Sequence, residues 1–252
     1  MNLDGYIKGS PTQLFILDYG LFQVHSDKRI IGICGFLIRT SAGENILIDT
    51  GFHRRYQRDA QAASEEDGLL TFGELLTLEP QNFPHEQLAL CGIDTSEIDL
   101  LIITHTHIDH VGGIADFPDC PILMSQHERA LPQPIYWADT QSLEWPDRDY
   151  FLIKQDTLLA PSFCILHVPG HTPGQLAFLL TLPDTGPILL TSDAISRPCE
   201  VDQGFAGSWD ESAALKSANR LLDLAGKDDA FIIYGHCPKQ WSSLRKAPRS
   251  YR

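Results

Sequence analysis

The sequence predicts a layered α/β protein in which helices cover sheets. Apolar runs of strand length recur along the chain, bounded by Gly, Pro, Asn and Asp. Several are apolar throughout, as strands buried on both faces are. Helical periodicity is confined to the stretches between or after these runs.

In chain order, Gln13–Asp18, Ile33–Arg39 and Asn45–Asp49 read as strands of an N-terminal meander. Leu69–Leu78 and Glu86–Cys91 read as helices. Strand patterns return at Leu100–Thr104, Ile122–Ser125, Cys164–Val168, Gln175–Leu182, Ile188–Thr191 and Ala230–Tyr234. The clearest helix is 209–225, where Ala214, Leu215, Ala218, Leu221, Leu222 and Ala225 recur at three to four residues. Ser208 and Glu211 have capping-box spacing ahead of it, and Gly226 is the expected stop. Residues 126–163 are the least regular stretch, rich in Pro and in Tyr136, Trp137 and Trp145, and read as an insertion covering a site. No repeat or linker divides residues 1–252, so a single domain is expected.

Composition narrows the function. The 252 residues carry a formal charge of −14, with 43% hydrophobic and 21% charged residues. A surface this acidic repels phosphate polyanions, so nucleic acid is excluded and a small, neutral substrate is favoured. No apolar run approaches the roughly 20 residues that cross a bilayer, and no leader pattern opens the chain. The six Cys are scattered without C-x-x-C spacing, which reads as reduced thiols and a cytoplasmic protein.

The segment Thr104-His-Thr-His-Ile-Asp-His-Val-Gly-Gly113 carries most of the chemistry. It follows the apolar run Leu100–Ile103, and period-two alternation puts His105, His107 and Asp109 on one side. His110 opens the next segment, beside Gly112 and Gly113. Three more polar residues end later runs: His171 in Pro-Gly-His-Thr-Pro-Gly, Asp193 in Thr-Ser-Asp and His236 in Tyr-Gly-His. A carboxylate at the end of an apolar strand is costly unless paired or metal-bound. Together these residues point to a metal site, and the set is large enough for two ions. Imidazole and carboxylate donors suit Zn²⁺ first, with Fe²⁺, Mn²⁺ or Co²⁺ next.

The ordered motifs T-H-x-H-x-D-H-x-G-G, P-G-H-T-P-G, T-S-D and a late G-H resemble the metallo-β-lactamase superfamily. Ile46-Leu-Ile-Asp-Thr-Gly51 resembles its first motif. The resemblance implies a four-layer αβ/βα sandwich with metals at one edge between two sheets. It implies that His105, His107 and His171 bind one ion, that Asp109, His110 and His236 bind another, and that Asp193 bridges them. Asp49 would then support the site rather than bind. Two such ions can hold a hydroxide between them as nucleophile, with Asp109 placed to hold or relay its proton.

Within the superfamily the sequence is most similar to the N-acyl homoserine lactone lactonases, enzymes of quorum quenching. Flavodiiron-type oxidoreductases replace a His by Glu, and lactamases with a Cys ligand need Cys where Asp193 stands. Only 16 residues follow His236, too few for the helical domain of glyoxalase II-like thioesterases. Other small-ester and phosphoester hydrolases and a non-catalytic metal-binding domain are the alternatives. Dimers are common in the lactonase group, and a homodimer is compatible with this sequence. The chain departs from the group at two positions. Ser196 stands three residues after Asp193, where a Tyr holds the substrate carbonyl, with Tyr136 and Tyr234 as candidate stand-ins. Ile108 stands between His107 and Asp109, where an aromatic is frequent, so a different substrate pocket is expected.

Overall fold

The computed structural model describes residues 3–137 and 143–252. Its strands form two sheets. The first contains β1 (Pro11–Val24), β2 (Ile30–Thr40), β3 (Asn45–Ile48), β4 (Gly73–Thr77), β5 (Leu100–Ile102), β6 (Ile122–Ser125), β7 (Tyr150–Ile153) and the C-terminal Ser250–Tyr251. The second contains β8 (Thr157–Ala160), β9 (Phe163–His167), β10 (Leu176–Leu182), β11 (Gly186–Leu190) and β12 (Phe231–Ile233). The helices are α1 (Arg55–Arg58), α2 (Ala60–Glu66), α3 (Pro84–Leu90), α4 (Ile108–Val111), α5 (Gln126–Arg129), α6 (Glu200–Gln203), α7 (Glu211–Asp228) and α8 (Pro238–Trp241).

Strand alternation builds the layers. Leu14 and Ile16 of β1, Leu100 and Ile102 of β5, and Ile188 and Leu190 of β11 enter one apolar layer between the sheets. Phe15, Leu17 and Leu101 face the other way, packing with Tyr56, Ala63 and Leu88 of α1, α2 and α3. Leu189 likewise faces outward, against Ala214, Ala218 and Leu221 of α7. The order is helices, sheet, sheet, helix, the αβ/βα sandwich that the resemblance implies. β3, β5, β6 and β7 run parallel, as do β11 and β12, so their C-terminal ends gather at one edge.

Several elements differ from the sequence reading. Leu69–Leu78 is not a helix: Leu69–Thr71 is one 3₁₀ turn, and Gly73–Thr77 is β4, paired antiparallel with β1 from Leu21 to Val24. The segment is apolar at both periods, and the open edge of the long β1 decides between them. α7 runs past Gly226 to Asp228 and ends on Asp229 in the left-handed region. Its cap is Asp210, which accepts from the Ala213 amide at 2.9 Å, rather than Ser208. Of the expected cover 126–163, α5, β7, β8 and the start of β9 belong to the layers themselves. Residues 138–142 lie outside the described residues.

Candidate active site

The edge where strands end assembles the candidate residues. His105, His107, Asp109 and His110 follow β5, with the last two in α4. His171 lies between β9 and β10, Asp193 follows β11, and His236 follows β12. Gly112 sits at the end of α4, where a Cβ would lie 2.0 Å from the His53 amide nitrogen. Only a glycine lets that backbone approach so closely.

The side chains converge. His107 Nδ1 is 3.1 Å from His105 Nε2 and 2.9 Å from His171 Nε2. Asp193 places one oxygen 3.5 Å from His171 Nε2 and the other 3.2 Å from His236 Nε2. The Asp109 carboxylate is 3.5 Å from His236 Nε2 and 3.7 Å from His110 Nε2. Among the described residues, three groups have donor atoms close enough to share an ion: His105–His107–His171, His105–His110–Asp193 and Asp109–His110–His236.

Supporting bonds fix which nitrogen points inward. Asp49, at φ +60° after β3, accepts from the Thr104 amide at 2.9 Å, the Thr104 hydroxyl at 2.7 Å and His110 Nδ1 at 2.8 Å. His236 Nδ1 donates to the Gly32 carbonyl at 2.9 Å. His105 Nδ1 lies 3.0 Å from the Thr104 hydroxyl, whose own proton goes to Asp49. Each of these imidazoles therefore turns its Nε2 into the site. Thr104 was not singled out in the sequence, although it opens the His-rich motif.

Burial pulls the His105, His107 and His171 rings below the ordinary imidazole range, the first two far below, and neighbouring imidazoles add to it. Burial opposes the charged form of His110 too, but Asp109, Asp49 and Asp193 outweigh it and push the ring up to about 10. For His236 burial is likewise outweighed, chiefly by Asp193, giving about 9. Burial disfavours the Asp193 anion, yet His236, His110 and His171 hold the carboxyl well below the usual range.

The donor set fits a pair of divalent cations. Imidazole nitrogens about 3 Å apart repel as lone pairs unless a cation or proton lies between them. His110 Nε2 and Asp193 Oδ1 are buried without a hydrogen-bond partner, an arrangement that a metal ion satisfies.

His107, Asp109, His171, Asp193 and His236 line a cleft of about 660 Å³, with His105 and His110 outside its lining. Its apolar wall includes Phe22, Ile31, Phe52, Phe72, Ile135 and Trp137, and its polar wall Arg29, Ser196, Arg197 and Glu200. Ile108 and Ser196 line it as expected. Tyr136 does not: its phenol is buried on Asp67 at 3.2 Å and Arg55 at 3.4 Å, because its backbone, bridged to His107, aims the ring away. Tyr234 is also absent from the lining and packs on the layer that α7 covers. The aromatic wall escaped sequence reading because Phe22, Phe52 and Phe72 come from distant segments without a shared motif. Arg54 and Arg55, which follow the Asp-Thr-Gly motif, pair with Asp116 and with Glu66 and Asp67.

Two sheets between helices, with imidazoles and carboxylates gathered at the strand ends under an open cleft, define a metal-dependent hydrolase of the sandwich class. Comparison with known proteins makes the assignment specific. The chain belongs to the Metallo-beta-lactamase superfamily, whose sequence profile matches residues 35–236. An N-acyl homoserine lactonase from Bacillus sp is 31% identical over 227 residues, 84% of each chain. A solved B. thuringiensis AiiA mutant with N-decanoyl-L-homoserine bound at its active site superposes with a TM-score of 0.80 at 25% identity, covering 96% of this chain and 100% of that one. A solved N-acyl homoserine lactone hydrolase, with the product N-hexanoyl-L-homoserine at its catalytic metal centre, gives the same TM-score, identity and coverage.

Proposed function

We propose that this hydrolase opens N-acyl homoserine lactones or closely related small lactones. The observation that carries the reading is the convergence of seven metal-competent side chains, five of which line a cleft with an aromatic wall. His105, His107 and His171 would hold one divalent ion and Asp109, His110 and His236 a second, with Asp193 within reach of either. Zinc suits this nitrogen-rich set best. When bound, the two ions supply Lewis acidity that polarises an ester carbonyl and lowers the pKa of water into the neutral range.

The chain's own groups complete the chemistry. Asp109 keeps 16% of its side chain exposed at the cleft floor, so its carboxylate can take a proton from incoming water and return it to the departing alkoxide. Trp137, Phe72 and Phe22 take an apolar tail and exclude water from it. Ser196 and Arg197 face the polar end of the substrate. Ring opening needs no separate leaving group, because the alkoxide stays tethered to the acyl product. The net charge of −14 favours a neutral lactone over a polyanion.

Zn²⁺-loaded protein incubated with lactones of varied ring and tail will give ring-opened hydroxy acids heavier by one water. Both His107→Ala and Asp109→Asn will lose this activity, the latter by about 10²–10⁴-fold. Turnover of phosphodiesters with no turnover of any lactone would overturn the substrate assignment.

A further inference from the structure

Glu128 has no role in the chemistry above, yet it is buried directly behind the ligand loops. It lies in α5 and is fully buried. A buried carboxylate is costly unless its oxygens are satisfied, and the bonds that satisfy this one are specific. Oε1 accepts from the Thr106 amide at 3.0 Å and the Thr106 hydroxyl at 2.7 Å. Oε2 accepts from the Gly174 amide at 3.0 Å.

Thr106 separates His105 from His107, and Gly174 is three residues after His171. One carboxylate therefore bridges the two loops that carry all three imidazoles of the His105–His107–His171 group. None of its bonds reaches the loops of Asp109 or His236, and the imidazole of His110 is oriented separately by Asp49. The approach is close: a Cβ on Gly174 would lie 2.4 Å from the Glu128 Cβ. The Thr106 hydroxyl also accepts from the Ile135 amide at 2.9 Å, so the clamped loop is held from the cleft side as well.

We propose that Glu128 is a positioning residue that sets the spacing of the three-imidazole position, and thereby the affinity of that ion alone. The proposal rests on the two-ion reading given above. Asp49, by contrast, bears on both positions, on His110 directly and on His105 through the Thr104 hydroxyl. Outer partners of metal ligands typically change affinity by about 10–100-fold, and a clamp acting on one ligand group moves one of two binding constants. A carboxylate that only supports the fold lowers overall stability without that selectivity.

The test is stepwise Co²⁺ binding to chelator-stripped full-length protein, followed by chelator competition and by the visible cobalt spectrum. Wild type is compared with Glu128→Gln, Asp49→Asn and His171→Ala. Two ions are expected in wild type. Glu128→Gln should weaken one of them by about 10–100-fold and leave the other unchanged, a selectivity that a uniform loss of stability would not give. Asp49→Asn, which loosens His110 and through Thr104 also His105, should weaken both and is the unselective control. Placed on His171→Ala, which already lacks the first position, Glu128→Gln should add no further loss. If Glu128→Gln does not fold, Thr106→Val, which removes one clamp bond, reads the same selectivity. Equal weakening of both ions by the clamp variant, no weakening, or additive loss on His171→Ala overturns the proposal and spares the two-ion reading. Failure of wild type to take up two ions overturns both.

Discussion

At the scale of single residues, the site is a set of lone pairs aimed by bonds outside it. Asp49 is the clearest case, since it accepts from His110 Nδ1 and so turns Nε2 toward the ion position. Trp137 acts on the opposite wall, its ring 6.5 Å from that of His107 and 4.9 Å from that of Phe72. Removing it opens the apolar wall without touching a donor atom. Trp137→Ala should therefore raise KM for a decanoyl substrate about tenfold, as expected for the loss of roughly 1.5 kcal/mol of apolar contact. Its kcat should stay near wild type, and the hexanoyl substrate should suffer less. A steady-state comparison of the two tails checks this, and an equal rise for both would place the tail elsewhere. Ser196 and Ile108 line the cleft, and Arg197 lines it beside Ser196.

At the scale of elements, short connections at strand ends do most of the positioning. α4 is only four residues long, yet it carries Asp109 and His110 and docks its end on the backbone of Phe52 and His53. Gly112→Ala places a Cβ 2.2 Å from the Phe52 carbonyl carbon, a clash with backbone that cannot rotate away. This variant should lose Co²⁺ uptake along with stability, read by titration and by urea unfolding. α7 carries no donor itself but backs the His171 loop, where the Ser217 hydroxyl donates to the Pro169 carbonyl at 2.7 Å and a Cβ on Gly170 would lie 2.2 Å from Ala214. Leu221 is fully buried on it, so Leu221→Ala should cost about 2–5 kcal/mol. Asp210→Ala removes its cap and should cost about 1 kcal/mol. Urea midpoints rank the two, and a larger loss for the cap would show that the helix is not held by its apolar face. β4 teaches a different lesson: Leu69–Leu78 suits either period, and pairing with β1 makes most of it a strand.

At the scale of the whole molecule, two sheets hold buried titratable groups in opposed states, and this sets a pH dependence for the metal-free chain. His110 and His236, at about 10 and about 9, sit above the ordinary imidazole value. Their stabilisation is complete below about pH 6.5 and is lost as pH rises through those values. His105, His107 and His171 are shifted down, so their stabilisation is present above about pH 6.5 and is lost as pH falls. Chelator-treated protein should thus be most stable near pH 6.5 and weaken on both sides. Denaturant midpoints across pH 5 to 10 check this, and a profile flat to pH 10 would refute the alkaline limb. Metal must displace the protons on His110 and His236, so ion affinity should rise with pH over the same alkaline range. Loading with Zn²⁺ should raise the melting temperature in proportion to the logarithm of free metal.

The residues that form the site were legible in the sequence because each follows an apolar run and several share short motifs. The layered class was legible too, because strand alternation is a local property. Glu128, Thr104 and the aromatic wall were not, since a buried carboxylate behind a loop or a Phe in a meander carries no local mark of its neighbours. Tyr136 shows the same limit from the other side: its position near His107 is correct along the backbone, but its ring turns to Asp67. Local pattern determined which side chains can coordinate and which faces are apolar. The tertiary structure alone decided where the rings point, which edge recruits β4 and what lines the cleft, because these depend on contacts between segments far apart in the chain.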